Sequence, residues 1–182
     1  MCSSDLNGIL PRDVAIRDLR RVPLAFHPRF AARYREYRYT IWNGSRSPLR
    51  ERTALLVRAQ LDTAAMARAG SVFIGRHDFS AFGGAIGHPV RTVHSVRVRR
   101  VGELVTIDVR ADAFLRGMVR RMVAALLEVG KGKMTETEVA AALADTRPAL
   151  AGAAAPARGL CLRHVALGRR RRRQENGDNE ER

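Results

Sequence analysis

RYREYRYTIW, residues Arg33 to Trp42, is the stretch on which the reading of this chain turns. Tyr37, Tyr39 and Ile41 alternate with Glu36, Arg38 and Thr40. A period of two puts the two tyrosines and the isoleucine on one face of a strand. Set among arginines, such a face offers rings on which a base can stack while guanidinium groups neutralise its phosphate. The same alternation also serves an ordinary half-buried strand, where tyrosine is a common residue. The rest of the chain has to decide between the two.

Downstream, Asp62 is placed to cap a helix running to about Ile74, with Met66, Ala69 and Phe73 at helical spacing and Gly75 just past its end. Gly83, Gly84, Gly87 and Pro89 mark a loop. Thr92 to Val101 and Leu104 to Arg110 both alternate, and Gly102 between them predicts a hairpin. Asp112 is expected to cap a strongly apolar helix over Ala113 to Val129, closed by Gly130. Thr135 with Glu138 forms a capping-box pattern opening a short helix that stops before Pro148, and Leu160 to Leu167 is a last strand. Strand, helix, strand, strand, helix, extra helix, strand is the α+β, ferredoxin-like split βαβ order, an antiparallel sheet with helices on one face. Upstream, Val14 and Ile16 suggest a short strand and Val22 to Phe30 an extended segment. The expected organisation is residues 1–32 as the end of a preceding domain, 33–168 as the main domain and 169–182 as a disordered charged tail.

The chain of 182 residues carries 33 basic and 18 acidic side chains, a net charge of +15. The tail accounts for +2, leaving +13 on residues 1–168, so the body itself is basic. That favours a polyanionic partner, most simply nucleic acid, bound with release of counterions from its phosphates. Cys2 and Cys161 stand far apart with no metal-ligand spacing, which argues against a zinc site or a disulfide framework. No apolar run approaches the roughly 18 residues of a membrane span, and Met1 to Pro11 lacks the basic start and apolar centre of a signal peptide. A soluble cytoplasmic protein is expected.

One place breaks local rules. On a helix beginning at Ala113, Arg116 and Arg120 share a face and repel, and Arg116 meets the positive end of the helix dipole. Arg120 is flanked by Met118, Val119, Met122 and Val123. Its head group is therefore expected to be partly enclosed and to seek a carboxylate or phosphate.

Several segments in register resemble the tRNA pseudouridine synthase A family. They are Leu10 to Ala15, Phe26-His27-Pro28-Arg29-Phe30, Arg35-Glu36-Tyr37-Arg38-Tyr39, Gly75 to Phe82, Arg91-Thr92-Val93, Phe114 through Met118-Val119-Arg120 to Gly130, and Gly159-Leu160-Cys161-Leu162. The resemblance implies the pseudouridine synthase fold and isomerisation of uridine to pseudouridine in the anticodon stem-loop of tRNA, without cofactor or metal, by an enzyme that is typically a homodimer. In that family an aspartate nucleophile does the covalent step, a tyrosine stacks on the flipped base and deprotonates carbon five, and an arginine pairs with the aspartate. Tyr37 matches the tyrosine and Arg120 the arginine. Arg29 and Arg91 are candidate phosphate contacts, Leu162 a candidate wall of the base pocket, and Phe79, Phe82 and Phe114 are expected to pack beneath it.

The family's Arg-Thr-Asp-Ala-Gly-Val-His type segment, which carries the nucleophile, does not occur in this sequence. Asp78, Asp108 and Asp112 read as part of a motif, a strand surface position and a helix cap. The chain is thus expected to be an N-terminally truncated member, inactive alone. The alternative is a noncatalytic RNA-binding module of the same fold. An RNA recognition motif is disfavoured, because Thr92 to Val101 has no aromatic residue.

Overall fold

A computed structural model describes residues 3–84, 88–145 and 153–168; the charged tail 169–182, Pro148 and Gly87 lie outside the described residues. The chain divides into two compact units, Met1–Ala31 and Ala32–Arg182.

The first unit holds helices α1 (Ser3–Ile9) and α2 (Pro28–Ala31). The short strand expected around Val14 and Ile16 does not form. Asn7 supplies both partners of the Ile16 backbone, its Nδ2 donating to the Ile16 carbonyl at 2.8 Å and its Oδ1 accepting from the Ile16 N–H at 2.7 Å. A side chain thus takes the place of a neighbouring strand. The extended segment expected over Val22 to Phe30 is instead a turn at Leu24 and Ala25 followed by α2, which Pro28 opens with its fixed φ.

The second unit contains β1 (Ala32–Trp42), β2 (Leu55–Leu56), α3 (Thr63–Ser71), β3 (Gly75–Asp78), β4 (Val90–Val101), β5 (Leu104–Ala111), α4 (Met118–Gly130), α5 (Glu136–Ala144) and β6 (Leu160–Leu167). The sheet runs β2-β1-β5-β4-β3, with β6 also paired to β1. Without the short strands β2 and β3, the order β4-β5-β1-β6 is the split βαβ arrangement, and every neighbour within it is antiparallel. No helix among the described residues is long and apolar enough to cross a membrane.

The alternation in β1 works as read. Tyr39 and Ile41 are fully buried, opposite Ile107 and Val105 of β5, which are also fully buried. Against this face α4 lays Met118, Met122, Val123 and Leu126, all at zero exposure and spaced at helical intervals. Phe73, Phe79 and Phe82 complete the same core at zero exposure. The Asp62 cap, the capping box at Thr135 and Glu138 and the hairpin glycine Gly102, with φ of 57°, also form.

The helix boundaries differ from the sequence reading at both main helices. The first stops at Ser71, and i to i+3 hydrogen bonds at Val72, Phe73 and Ile74 tighten the exit. Gly75 therefore opens β3 at a φ of 118° instead of closing the helix. The second begins at Met118, five residues later than expected, because Asp112 does not cap it. The Asp112 carboxylate accepts from the Thr92 and Ala113 N–H groups and pins the start of β4, while Gly117, at φ 78°, turns the chain into α4. Arg116 consequently lies outside the helix, so the expected repulsion with Arg120 on one helix face does not arise. Gly130 is the last residue of α4 rather than its stop; a Cβ there would meet Met66 Sδ at 2.6 Å.

Leu126→Ala is expected to cost about 2–5 kcal/mol of stability and Thr135→Ala about 1 kcal/mol, both read from urea denaturation midpoints at unchanged slope.

Candidate active site

β1 sorts its side chains between two unlike faces. On the face away from the helices, Arg38 makes a two-pronged ion pair with Asp108 at 2.7 and 2.9 Å, and Arg110 pairs with Glu36 at 2.8 and 3.0 Å. The Arg110 guanidinium also lies over the Tyr34 ring, 4.7 Å from its centroid. Asp108, expected as a surface position, is only 8% exposed, because Arg38 covers it. The aromatic platform is correspondingly smaller than the sequence reading made it. Tyr39 and Ile41 are sealed in the core, and Tyr37 alone of the three remains half-exposed.

Tyr37 sits on the helix-bearing face at the end of that core. Its ring meets Phe114 edge-on, with centroids 5.2 Å apart and planes at 88°. Across the neighbouring strand its partner is Leu162, on the same face and 47% exposed. A bulge at Arg163 shifts the β6 register between Glu36 and Tyr37, and beyond it Leu162 and Leu160 face Tyr37 and Tyr39 in turn. Leu162 is therefore no core residue. The Tyr37 hydroxyl makes no hydrogen bond among the described residues.

Arg120 is the third residue of α4 and half-buried. Two contacts bind it to Ala155: its Nε donates to the Ala155 carbonyl, and its own carbonyl accepts from the Ala155 N–H at 3.0 Å. Its two terminal nitrogens have no partner among the described residues, and no described carboxylate pairs with it. Next door, Tyr39 donates its hydroxyl to the Pro156 carbonyl at 2.7 Å. Burial pushes the Tyr39 phenol up to about 12, and the charges of Arg120 and Arg158 pull against that rise. Arg120 thus lies close to Tyr39, the residue two positions along β1 from Tyr37 and on the same face of that strand.

The other candidates fall elsewhere. Arg91 turns one terminal nitrogen onto the His88 and Val90 carbonyls, at 2.6 and 2.7 Å, and its Nε is buried without a partner among the described residues. Arg29 belongs to α2 in the first unit, and its side chain lies outside the described residues. Asp78 accepts from the Ser80 hydroxyl and N–H, which hold its carboxyl below the usual range. Asp112 is occupied by backbone and Asp108 by Arg38 on the far face. Among the described residues no His, Cys, Asp and Glu group could hold a metal ion. The sequence reading missed Ala155 and Pro156, which act through backbone carbonyls and leave no side-chain signature.

A sequence model of a family described as tRNA pseudouridine synthase matches residues 69–166. Among similar proteins are the tRNA pseudouridine synthase A of Geotalea uraniireducens, 44% identical over 90% of this chain and 68% of the relative, and that of Geobacter sulfurreducens, 42% identical over the same shares. The tRNA pseudouridine synthase A of Myxococcus xanthus is 44% identical over 88% of this chain and 62% of its own length. The chain spans about two thirds of the length of these relatives.

The raised Tyr39 value fixes a pH dependence. Below pH 10 the phenol is protonated in folded and unfolded chains alike, and between 10 and about 12 only the unfolded chain loses the proton. Stability is expected to be flat below pH 10 on this account and to fall by about 1.4 kcal/mol per pH unit above it. Comparing urea denaturation of the protein with that of Tyr39→Phe across this range checks it, since the variant lacks this share of the slope.

Proposed function

Because the chain belongs to the tRNA pseudouridine synthase family, we propose that it serves the isomerisation of uridine to pseudouridine in the anticodon stem-loop of tRNA, with Tyr37 and Arg120 as catalytic residues. The reaction breaks the bond between N1 of uracil and the ribose, turns the base, and joins carbon five to the same ribose carbon. Carbon five loses a proton and N1 gains one, so nothing is oxidised or reduced and no cofactor is required.

The observation that carries this reading is the state of Arg120. Its Nε is fastened to the Ala155 carbonyl, and the terminal nitrogens are left without a partner among the described residues. A guanidinium anchored this way presents a planar fork to an incoming carboxylate. The fork would lower the pKa of an aspartate by about 1–3 units and fix its orientation, keeping the nucleophile ionised for attack. We assign the aspartate to the family's Arg-Thr-Asp-Ala-Gly-Val-His type segment, which does not occur in this sequence, and the chain alone is expected not to turn over.

Tyr37 receives the base. Extruding a uridine loses stacking worth a few kcal/mol, which an aromatic ring beneath it partly restores. Phe114 braces the ring from its edge, and Leu162 on the adjacent strand walls the pocket. The Tyr37 hydroxyl, free of protein partners among the described residues, relays the proton of carbon five toward N1, its own proton leaving as the new one is taken. Arg91 and Arg29 are assigned to phosphates, and the net +13 of residues 1–168 supports the nonspecific part of RNA affinity. The family resemblance further assigns the reaction to a homodimer in the cytoplasm.

The test joins the chain to the part of the Geobacter sulfurreducens relative that the match leaves uncovered and follows tritium release from tRNA labelled at carbon five of uridine. Arg120→Ala and Tyr37→Ala are each expected to lower turnover at least about a hundredfold. Full turnover by either variant removes that residue from the mechanism, and turnover by the 182-residue chain alone contradicts the external aspartate.

A further inference from the structure

Tyr39 is a tyrosine where a phenylalanine would fill the same space. It has zero exposure, and its ring is wedged against Gly159, where an added Cβ would come within 2.8 Å of the ring and 2.7 Å of the Thr40 carbonyl. Among the described residues the hydroxyl has one use, the hydrogen bond to the Pro156 carbonyl at 2.7 Å. The segment it holds, residues 153–156, belongs to no strand or helix. Among the described residues, three hydrogen bonds tie that segment to the rest of the fold. They are the Tyr39 bond, the Ala155 N–H to the Arg120 carbonyl, and the Arg120 Nε to the Ala155 carbonyl. Two of the three end on Arg120 itself. Without the Tyr39 hydroxyl, the hydrogen bonds left to the segment among the described residues would both run to the residue it is meant to orient, beside the packing of Ala155 in the core.

We propose that Tyr39 is a positioning residue: through the Pro156 and Ala155 backbone it holds the Arg120 guanidinium in the orientation that meets the nucleophile. The proposal rests on the role given to Arg120 above. The core around Tyr39 then serves catalysis as well as stability. A buried hydroxyl replaced by a well-packed hydrogen can be nearly neutral for folding when its partner finds water, so a functional effect is separable from a structural one. The burial that keeps the phenol protonated beyond pH 10 keeps it a hydrogen-bond donor across the working range.

The first measurement uses the 182-residue protein and needs no activity. Hydrogen exchange at the Arg120 Nε–H is followed by nuclear magnetic resonance, the signal being assigned by its loss in Arg120→Lys. Tyr39→Phe is expected to speed that exchange at least tenfold, and Gly159→Ala, which displaces the ring while keeping the hydroxyl, is expected to do the same. Val139→Ala, a core cavity elsewhere, is expected to leave it unchanged. Equal exchange in the protein and in both site variants overturns the proposal, as does equal loosening by Val139→Ala. The second measurement uses the joined enzyme. Tyr39→Phe is expected to lower kcat about tenfold at unchanged KM for tRNA and to move the acid limb of the pH profile upward, because a displaced guanidinium no longer depresses the aspartate pKa. An unaltered kcat and pH profile in Tyr39→Phe, where Arg120→Ala is inactive, also overturns it. Full activity in Arg120→Ala instead defeats the functional reading from which the proposal starts, and is thereby distinguished.

Discussion

The register of β1 against β5 is the constraint on which everything else depends. Directly opposed residues share a face, so Tyr39 with Ile107 and Ile41 with Val105 are committed to the core, while Arg38 with Asp108 and Glu36 with Arg110 are committed to the other side. A slip of one residue would drive Arg38 and Glu36 under α4 and put Tyr39 in water. Two ion pairs on one face and a fully buried aromatic on the other exclude that slip from both directions. Each pair alone is worth little at these exposures. Their weight lies in the cost of burying any one of those charges without its partner.

From that register the site follows. Tyr37 is the next residue on the core face beyond Tyr39, half-exposed and met edge-on by Phe114. The β6 bulge then brings Leu162 alongside. Arg120 stands in the first turn of α4, near Tyr39, where the helix dipole opposes a cation. Its contact with the Ala155 carbonyl offsets part of that opposition, and an anion beyond the fork would offset the rest.

Much of this was legible in the chain itself. The alternation of Arg33 to Trp42, the hairpin around Gly102, the capping box at Thr135 and the strand at Leu160 to Leu167 are local patterns with local causes, and all formed where expected. Arg120 stood out as a cation in an apolar helix. What was not legible depends on distant partners. Asp112 has the composition of a cap, yet its carboxylate is claimed by the Thr92 N–H twenty residues back in sequence, and the helix starts only where Gly117 allows the turn. Asp108 looked like surface because nothing in the sequence pairs it with Arg38. The two-residue β2 is too short for any periodicity, and Ala155 and Pro156 act through carbonyls that every residue possesses.

The most direct measurement of the central claim is a crystal structure of the protein bound to an anticodon stem-loop RNA bearing 5-fluorouridine at the target position. The account predicts the flipped base stacked on the Tyr37 ring with Leu162 at its edge and the terminal nitrogens of Arg120 turned toward the sugar. An RNA lying instead across the opposite face, over Tyr34 and Arg110, with the Tyr37 ring uncovered, would contradict it.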